Sequence, residues 1–270
     1  MGIECGTLNA DKQRTNFNGF GNINTLRDVA NSTYHSLQVS ANRTIGDLSL
    51  SLAYTYSHSI DDSSDRGDTA FVNAYNFAAN RASSNFDLRH NLSISYVYSL
   101  PFFRGSGMAH TALGGWQVSG ITVAQTGLPF SVTNPADNAG VANGAGTSSR
   151  PDLVGNPHAT PTPDGNRGPL LYNPAAYAAP QGLTFGDVGR NTLNLPGRVN
   201  FDFGVYKKFQ IKENAGFEFR WENYNLFNHT QFNGLTPSNL YTSAFGSSTF
   251  LHLTNTHDPR RMQFGLRFYF

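Results

Sequence analysis

The chain has 270 residues, and 19 Lys and Arg against 18 Asp and Glu leave a formal net charge of +1. This balance does not favour a nucleic acid as partner. Charged residues make up 14%, against roughly 25% in an ordinary soluble domain, and aromatic residues reach 13%. No stretch approaches the about 20 consecutive apolar residues of a membrane-spanning helix, and the single cysteine, Cys5, excludes an intramolecular disulfide. Composition thus excludes an α-helical membrane protein.

The clearest pattern along the chain is the alternation of apolar and polar residues, which is typical of a β-strand between two different environments. Between Asp47 and Ile60, apolar residues such as Leu48 and Leu50 hold the even positions, and most odd positions are Ser, Thr or Ala. The same alternation returns in several later segments. It predicts seven strands and no amphipathic helix between them; the strands are expected at 32–43, 47–60, 88–100, 116–132, 198–209, 215–227 and 260–270.

The connections between these strands alternate between short and long. Those at 43–47 and 210–215 are tight, that at 101–115 is moderate, and those at 61–86, 133–196 and 228–259 are long. Turns that are short at one end and long at the other are typical of an outer-membrane β-barrel. Strands of this length also suit the membrane's apolar band, whereas soluble strands average about 5–6 residues. The sequence therefore predicts an all-β, antiparallel, up-and-down transmembrane barrel segment; a soluble sheet with one wet face is the alternative.

Charged residues occupy the polar register of the last three predicted strands. In a dry core they would be costly, but they are readily accommodated in a polar lumen. We therefore expect the following side chains to face the lumen: Asp202, Glu218, Arg220, Glu222, Arg261 and Arg267.

The strand count bears on whether the chain closes by itself. If the short turns are periplasmic, the last strand descends and the C-terminus lies in the periplasm. Seven is odd, whereas bacterial single-chain barrels have even strand counts. Residues 1–31 are predicted as a loop or partial segment and 32–270 as the C-terminal part of a larger barrel; an eighth strand within 1–31 is the other possibility.

The end of the chain resembles the C-terminal assembly signal of outer-membrane proteins. The last eight residues, QFGLRFYF, carry a polar residue, a glycine two positions later, and aromatic residues third from last and last: Gln263, Gly265, Phe268 and Phe270. The resemblance implies recognition by the Bam assembly machinery, which fits capture of an edge strand by strand addition.

Further blocks are similar to Oar-like TonB-dependent receptors. They read YHSLQVS at 34–40, YTYSHSIDD at 54–62, GWQVSG at 115–120, QTGLPF at 125–130, NPAAY at 173–177, GDVGRN at 186–191 and NYNLFNH at 223–229. The resemblance implies a twenty-two-stranded barrel in the outer membrane, plugged by an N-terminal domain, which imports a scarce small ligand with energy from TonB. The seven predicted strands would be the last seven, and the plug and the TonB box would lie elsewhere.

No pattern indicates catalysis, a metal site or a cofactor. The eight histidines show no close metal-ligand spacing, and no GxSxG or phosphate-binding loop occurs. We therefore expect no enzyme. The alternative to a receptor is a stand-alone structural or adhesive barrel that binds sugars or a partner through its loops.

Three charged or histidine-bearing segments receive specific predictions. The run DDSSDRGD at 61–68 is interpreted as a solvated acidic loop, with a calcium site as the alternative. Lys207, Lys208 and Lys212 are interpreted as a solvated hairpin. His252 and His257 share a loop, in which they are weak candidates for ligand contact.

Overall fold

The computed structural model describes residues 28–65, 73, 76–105, 107–136, 138, 149–161, 169–212, 214–232 and 244–270. The strands are β1 (Ser32–Ile45), β2 (Leu48–Asp61), β3 (Ala82–Ser83), β4 (His90–Ser99), β5 (Trp116–Gln125), β6 (Pro129–Phe130), β7 (Asp152–Leu153), β8 (Tyr177–Ala178), β9 (Leu193–Asn194), β10 (Arg198–Lys212), β11 (Ala215–Tyr224) and β12 (Arg261–Tyr269). The helical segments are α1 (Met108–Leu113) and two 3-10 turns at Phe77–Asn80 and Pro174–Ala176. None of the described helices is long and apolar enough to cross a membrane. The predicted all-β class is confirmed, while the loop predicted at 1–31 lies outside the described residues up to residue 27.

Seven long strands form one antiparallel sheet in chain order, β1-β2-β4-β5-β10-β11-β12, and the short β3 pairs with β2. The predicted up-and-down order is therefore confirmed. The tight turn at Gly46, whose φ is +55°, lies at the same end of the sheet as the β4–β5 and β10–β11 connections. We call this the turn end and the opposite end the loop end. A ten-residue strand tilted by about 40° rises about 25 Å, enough for the apolar band of a membrane.

Two strands end earlier than the alternation predicts, each for a local backbone reason. β5 ends at Gln125 rather than near 132. A Cβ on Gly127 would lie 1.7 Å from the carbonyl oxygen of Leu195, so the chain leaves the sheet there to pack tightly on another connection. β11 ends at Tyr224 rather than 227, because Asn225 adopts a left-handed backbone with φ of +53°.

One connection holds a short helix that the alternation of apolar and polar residues does not predict. α1 occupies the β4–β5 connection and has six residues. A helix of this length is less than two turns long, so it shows no hydrophobic period by which a sequence pattern identifies it.

The strand register keeps the two faces of the sheet chemically distinct. On the apolar face, Trp221 lies opposite Val205 on one side and Phe264 on the other. The rings of Trp221 and Phe264 stack with an interplanar angle of 10° and centroids 6.3 Å apart. Phe264 is nonetheless 72% exposed and Leu266 73% exposed. Around Phe264 and Leu266, the apolar face therefore lacks a covering layer among the described residues.

The buried hydrophobic core lies in the connections at the loop end rather than in the sheet. Its members all lie outside the seven long strands, and they are Phe130, Val132, Ala176, Tyr177, Val188, Leu193, Leu195, Phe250 and Leu251. We call this unit the loop cap, residues 76–87, 128–134, 149–155, 170–195 and 244–253. Phe250 packs edge-on against Tyr177, with centroids 5.7 Å apart. Burial, together with the neighbouring Tyr172, raises the pKa of Tyr177 to about 12.

Candidate functional site: the polar face and the loop cap

A band of charged residues crosses the polar face of the last three long strands. Glu218 lies opposite Lys208 on β10 and Arg267 on β12. Arg220, one step along, donates from Nε to Glu218 Oε1 over 2.8 Å. Opposite charges directly across from one another stabilise a strand pair, so these charges favour the observed register of β10, β11 and β12.

Glu222 completes this band nearer the loop end. It accepts a hydrogen bond from the Tyr206 hydroxyl at 3.1 Å and another from Gln263 Nε2. Its position opposite Gly204 places it on the same face as Glu218 and Arg220. Three of the six residues predicted to face a lumen therefore form one continuous band, with Arg267 opposite.

Asp202 and Arg261 lie separately, close to the loop end. Asp202 Oδ1 accepts from Asn200 Nδ2 at 2.8 Å and from the backbone N–H of Asn225 at 2.9 Å. Arg261 forms a 3.0 Å ion pair with Asp258. The structure thus places all six predicted residues on one face but divides them between a charged band and the loop end.

An open cavity of about 670 Å³ lies between the polar face of β10–β12 and the connection before β12. A chain of polar groups lines its floor. Arg198 Nε donates to Gln231 Oε1 at 3.2 Å, and Gln231 Nε2 donates to Asn200 Oδ1 at 3.2 Å. Gln231 is 5% exposed, so its amide is fixed in place. This arrangement offers both charges and ordered amides to a polar molecule entering from the loop end.

His257 lies at the wall of the same cavity. Its backbone N–H donates to the carbonyl oxygen of Gln231 at 2.8 Å. Burial lowers the pKa of His257, and the charge of Arg198 lowers it further, while Asp258 opposes both. Of the two histidines predicted as weak ligand candidates, His257 therefore faces a cavity, whereas His252 is 3% exposed in the loop cap.

A buried arginine joins the loop cap to the sheet. Arg190 Nη1 donates to Asp61 Oδ1 at 2.7 Å, and the two side chains are 1% and 2% exposed. Arg190 Nη2 also donates to Ser64 Oγ at 2.7 Å and to Asn85 Oδ1 at 3.2 Å. One guanidinium therefore binds the end of β2, the segment after it and the connection before β4.

Asn191, the next residue, reinforces this junction. Its Nδ2 donates to the Ser83 carbonyl oxygen and to Asn85 Oδ1, each at 2.7 Å. Its backbone φ of +51° lies in the left-handed region, which asparagine tolerates better than most residues. The GDVGRN and YTYSHSIDD blocks, 129 residues apart between Arg190 and Asp61, thus meet in space.

The prediction of a solvated acidic loop after β2 is wrong at its start. Asp61 is 1% exposed and Asp62 is 8% exposed. A buried carboxylate requires a partner, and Arg190 supplies it. Because that guanidinium already neutralises Asp61, the alternative calcium site loses one of its ligands. Asp68 lies outside the described residues.

The loop cap covers the polar face, not the apolar face, at the end of β2. Ser57, Ser59 and Asp61 alternate on the polar face and are 7%, 4% and 1% exposed. Ser84 of the loop cap donates its hydroxyl to Ser59 Oγ at 2.7 Å. The connections at this end therefore fold over the polar face.

The prediction of a solvated lysine hairpin is wrong for Lys207. This residue lies opposite Trp116 and Phe219 on the apolar face and is 3% exposed. The sequence contained the signal, since Lys207 interrupts the apolar positions between Val205 and Phe209. Lys208, on the polar face, is exposed as expected.

The residues of the predicted assembly signal lie on or just after β12. Gln263 and Gly265 are on the polar face, opposite Glu222 and Arg220. Phe268 is on the apolar face opposite Phe217, and Phe270 follows the strand with 99% of its surface exposed. The structure thus shows an edge strand that ends in an uncovered aromatic residue.

Comparison with protein families gives one finding that covers nearly the whole chain. The model of the family described as "Outer membrane beta barrel domain" matches residues 2–263. No curated protein and no solved structure matches the chain. The match agrees with long antiparallel strands, an uncovered apolar face and a charged opposite face. The chain therefore belongs to the outer membrane beta barrel domain family and is a β-barrel protein of the outer membrane.

Proposed function

We propose that this chain is the C-terminal portion of a larger outer-membrane receptor, an Oar-like TonB-dependent transporter with about twenty-two strands. The observation that carries the proposal is the open sheet. β1 and β12 are its two edges, and neither has a second partner strand among the described residues. An open edge in lipid leaves backbone groups unpaired at several kcal/mol each, so further strands are required for closure.

The edge strand β1 supports this interpretation through its exposure. All 14 of its residues are exposed, on both faces. Alternation nevertheless continues through it, with Leu37 and Val39 on the apolar face opposite Tyr56 and Tyr54. A strand with this pattern suits a position within a barrel wall, flanked on both sides.

The loop end supports a receptor over a simple pore. The loop cap folds over the polar face and carries its own hydrophobic core, and the cavity of about 670 Å³ also lies at the loop end of the sheet. Barrels of about 22 strands are wide enough to need a plugged lumen. We infer that the loop cap and this cavity contact an unidentified small ligand on its way in, without catalysis.

Each face and each end of the proposed barrel has its own partner. Outer-membrane lipid covers the apolar face. The Bam machinery recognises the end of β12 through Gln263, Gly265, Phe268 and Phe270, with the C-terminus in the periplasm. A plug and further strands outside this chain complete the lumen, and TonB acts through them.

The first test is the size of the native polypeptide. An antibody against β12 is used on outer-membrane fractions. The receptor proposal expects a band several times longer than 270 residues. A heat-modifiable band that matches this chain alone contradicts the proposal and supports the stand-alone adhesive barrel instead.

A second test addresses transport itself. Deleting TonB is expected to abolish a growth advantage that the full-length receptor confers on a defined mixture of scarce nutrients. A control strain that lacks the receptor fixes the baseline. Growth that depends on the receptor but not on TonB contradicts energised import.

A further inference from the structure

The helix α1 lies on the outer wall of the sheet, and a buried lysine fixes it there. Lys207 Nζ donates to the carbonyl oxygen of Ala112, in the last turn of α1, at 2.8 Å. Lys207 projects from the apolar face, between Val205 and Phe209 on β10. The end of α1 therefore lies against the apolar face at the turn end, not over the polar face.

The surroundings of the Lys207 ammonium match a membrane interface. It lies 5.1 Å from the ring centroid of Trp116 and 4.6 Å from that of Phe209. A cation over aromatic faces is attracted by the ring quadrupole, and a cation near a helix C-terminus is favoured by the helix dipole. Lysines near membrane boundaries likewise bury an apolar stem while the charged head binds polar atoms, here the carbonyl oxygen of Ala112.

The β4–β5 connection exposes an unusual amount of apolar surface. Met108 is 90% exposed, and three further side chains are more than half exposed, namely Phe102 at 58%, Phe103 at 53% and Leu113 at 53%. The single arginine of this connection, Arg104, is paired with Asp47 of the neighbouring turn. Four large exposed apolar side chains on one short connection are more typical of a surface that contacts lipid or protein than of a turn in water.

We propose that α1, with residues 101–105 before it, is an interfacial anchor inserted into the lipid leaflet at the turn end of the barrel. Lipid is the expected contact of α1 because the surface of α1 continues the apolar face of the sheet. The apolar face of the sheet is covered by lipid in an outer-membrane barrel, and α1 is attached to that same face through Lys207. Aromatic residues mark both interfaces of such barrels, and Trp116 and Phe219 pack edge to face beside the anchor. The apolar side chains of the anchor enter about 5–10 Å into the boundary between headgroups and acyl chains.

The experiment places an environment-sensitive fluorophore on the anchor of the full-length protein in phospholipid nanodiscs. Met108→Cys carries the label, in a background where every other cysteine is serine. Gln210→Cys, at the same end of the sheet on the polar face, is the matched control. We expect the Met108→Cys label to emit at shorter wavelength and to be quenched by a phosphatidylcholine carrying a nitroxide near its glycerol. The control label is quenched by aqueous iodide instead.

Two outcomes overturn the proposal. Equal quenching of both labels by iodide means that α1 lies in water. Protection of the Met108→Cys label from both quenchers means that another protein segment covers the helix. Because Met108 is almost fully exposed, we expect the label to leave folding unchanged.

A second pair of variants tests the role of Lys207. Lys207→Gln removes the charge that caps α1 and stacks on the rings, whereas Lys208→Gln removes the neighbouring charge on the polar face. Lipid quenching of the Met108→Cys label is expected to fall with Lys207→Gln and to stay unchanged with Lys208→Gln. Unchanged quenching in both variants overturns the positioning of α1 by Lys207.

Discussion

The sheet and the loop cap bury their apolar side chains by different means. The loop cap has a core of its own, with Val132 fully buried and Leu193 1% exposed. The sheet has long, regular strands, yet Leu266 and Phe264 on its apolar face stay more than two-thirds exposed. The loop cap is therefore stabilised by packing within the chain, whereas in the proposed barrel lipid covers the apolar face of the sheet and further strands pair with its two edges.

Charged pairs also differ between the two regions in how deeply they are buried. Arg190 and Asp61 are buried with their charges paired and surrounded by donors and acceptors. Arg261 and Asp258, at the start of β12, are 67% and 70% exposed. At the loop end, therefore, the pair that the loop cap covers is buried, whereas the pair outside the loop cap is exposed.

The largest expected effect concerns the sheet as a whole. Phe270→Ser is expected to remove most of the protein from the outer membrane, because the last strand loses the aromatic residue proposed to be captured during assembly. Tyr269→Ser, one residue earlier on the other face, is the control. The measurement is the amount of folded protein in outer-membrane fractions; unchanged levels for Phe270→Ser would count against the assembly signal.

In the loop cap, the largest expected effect comes from Arg190→Ala. The variant leaves the Asp61 carboxylate buried without its partner, which costs about 3–5 kcal/mol. Arg261→Ala breaks an exposed pair and is expected to cost about 1 kcal/mol or less. Cleavage of the loop cap by an added protease, on intact outer-membrane vesicles, compares the two. Equal cleavage rates would show that the buried pair does not hold the loop cap on β2.

The same substitution at two leucines measures how differently the loop cap and the sheet are stabilised. Leu193→Ala creates a cavity in the loop cap and is expected to destabilise it by about 2–5 kcal/mol. Leu266→Ala on the apolar face of β12 is expected to cost less, because lipid fills the vacated space. Urea denaturation curves for each region measure the difference. A larger cost at Leu266 would contradict an independent core in the loop cap.

The smallest expected effect is a pH dependence at His257. Its folded pKa is lowered, so above about pH 6.5 it is neutral in both folded and unfolded states and contributes nothing. Below that value the unfolded segment binds a proton that the folded segment resists, and stability falls until the folded pKa is reached. Protease resistance of the connection before β12 is expected to drop on acidification in the wild type but less so in His257→Gln. Identical pH profiles of the wild type and His257→Gln would show that protonation of His257 does not affect the stability of this connection.

Sequence patterns predict the sheet better than the loop cap, for a physical reason. Alternation along β2 or β12 reports directly on the two environments of a strand, so the strands and their faces follow from neighbouring residues. Burial of Asp61 depends on Arg190, 129 positions away, and no local pattern carries that information. The alternation likewise misses the end of β5, since the constraint at Gly127 comes from Leu195.

The candidate site shows the same limit. The alternation predicts that Glu218, Arg220 and Glu222 share the polar face. The structure adds the hydrogen bonds that these side chains form. The cavity beside His257 joins residues of three separate segments, which the sequence alone does not bring together. The sequence shows that Lys207 interrupts a series of apolar positions, but it does not predict that Lys207 binds the carbonyl oxygen of Ala112 in α1.

Hydrogen–deuterium exchange of the native protein in outer-membrane vesicles tests most directly whether the sheet is completed beyond these strands. The amides of β1 that point away from β2 are compared with those of the central strand β4. We predict equal, slow exchange, because β1 pairs with a further strand in the closed barrel. Fast exchange confined to those outward β1 amides would show an open edge and contradict a larger closed barrel.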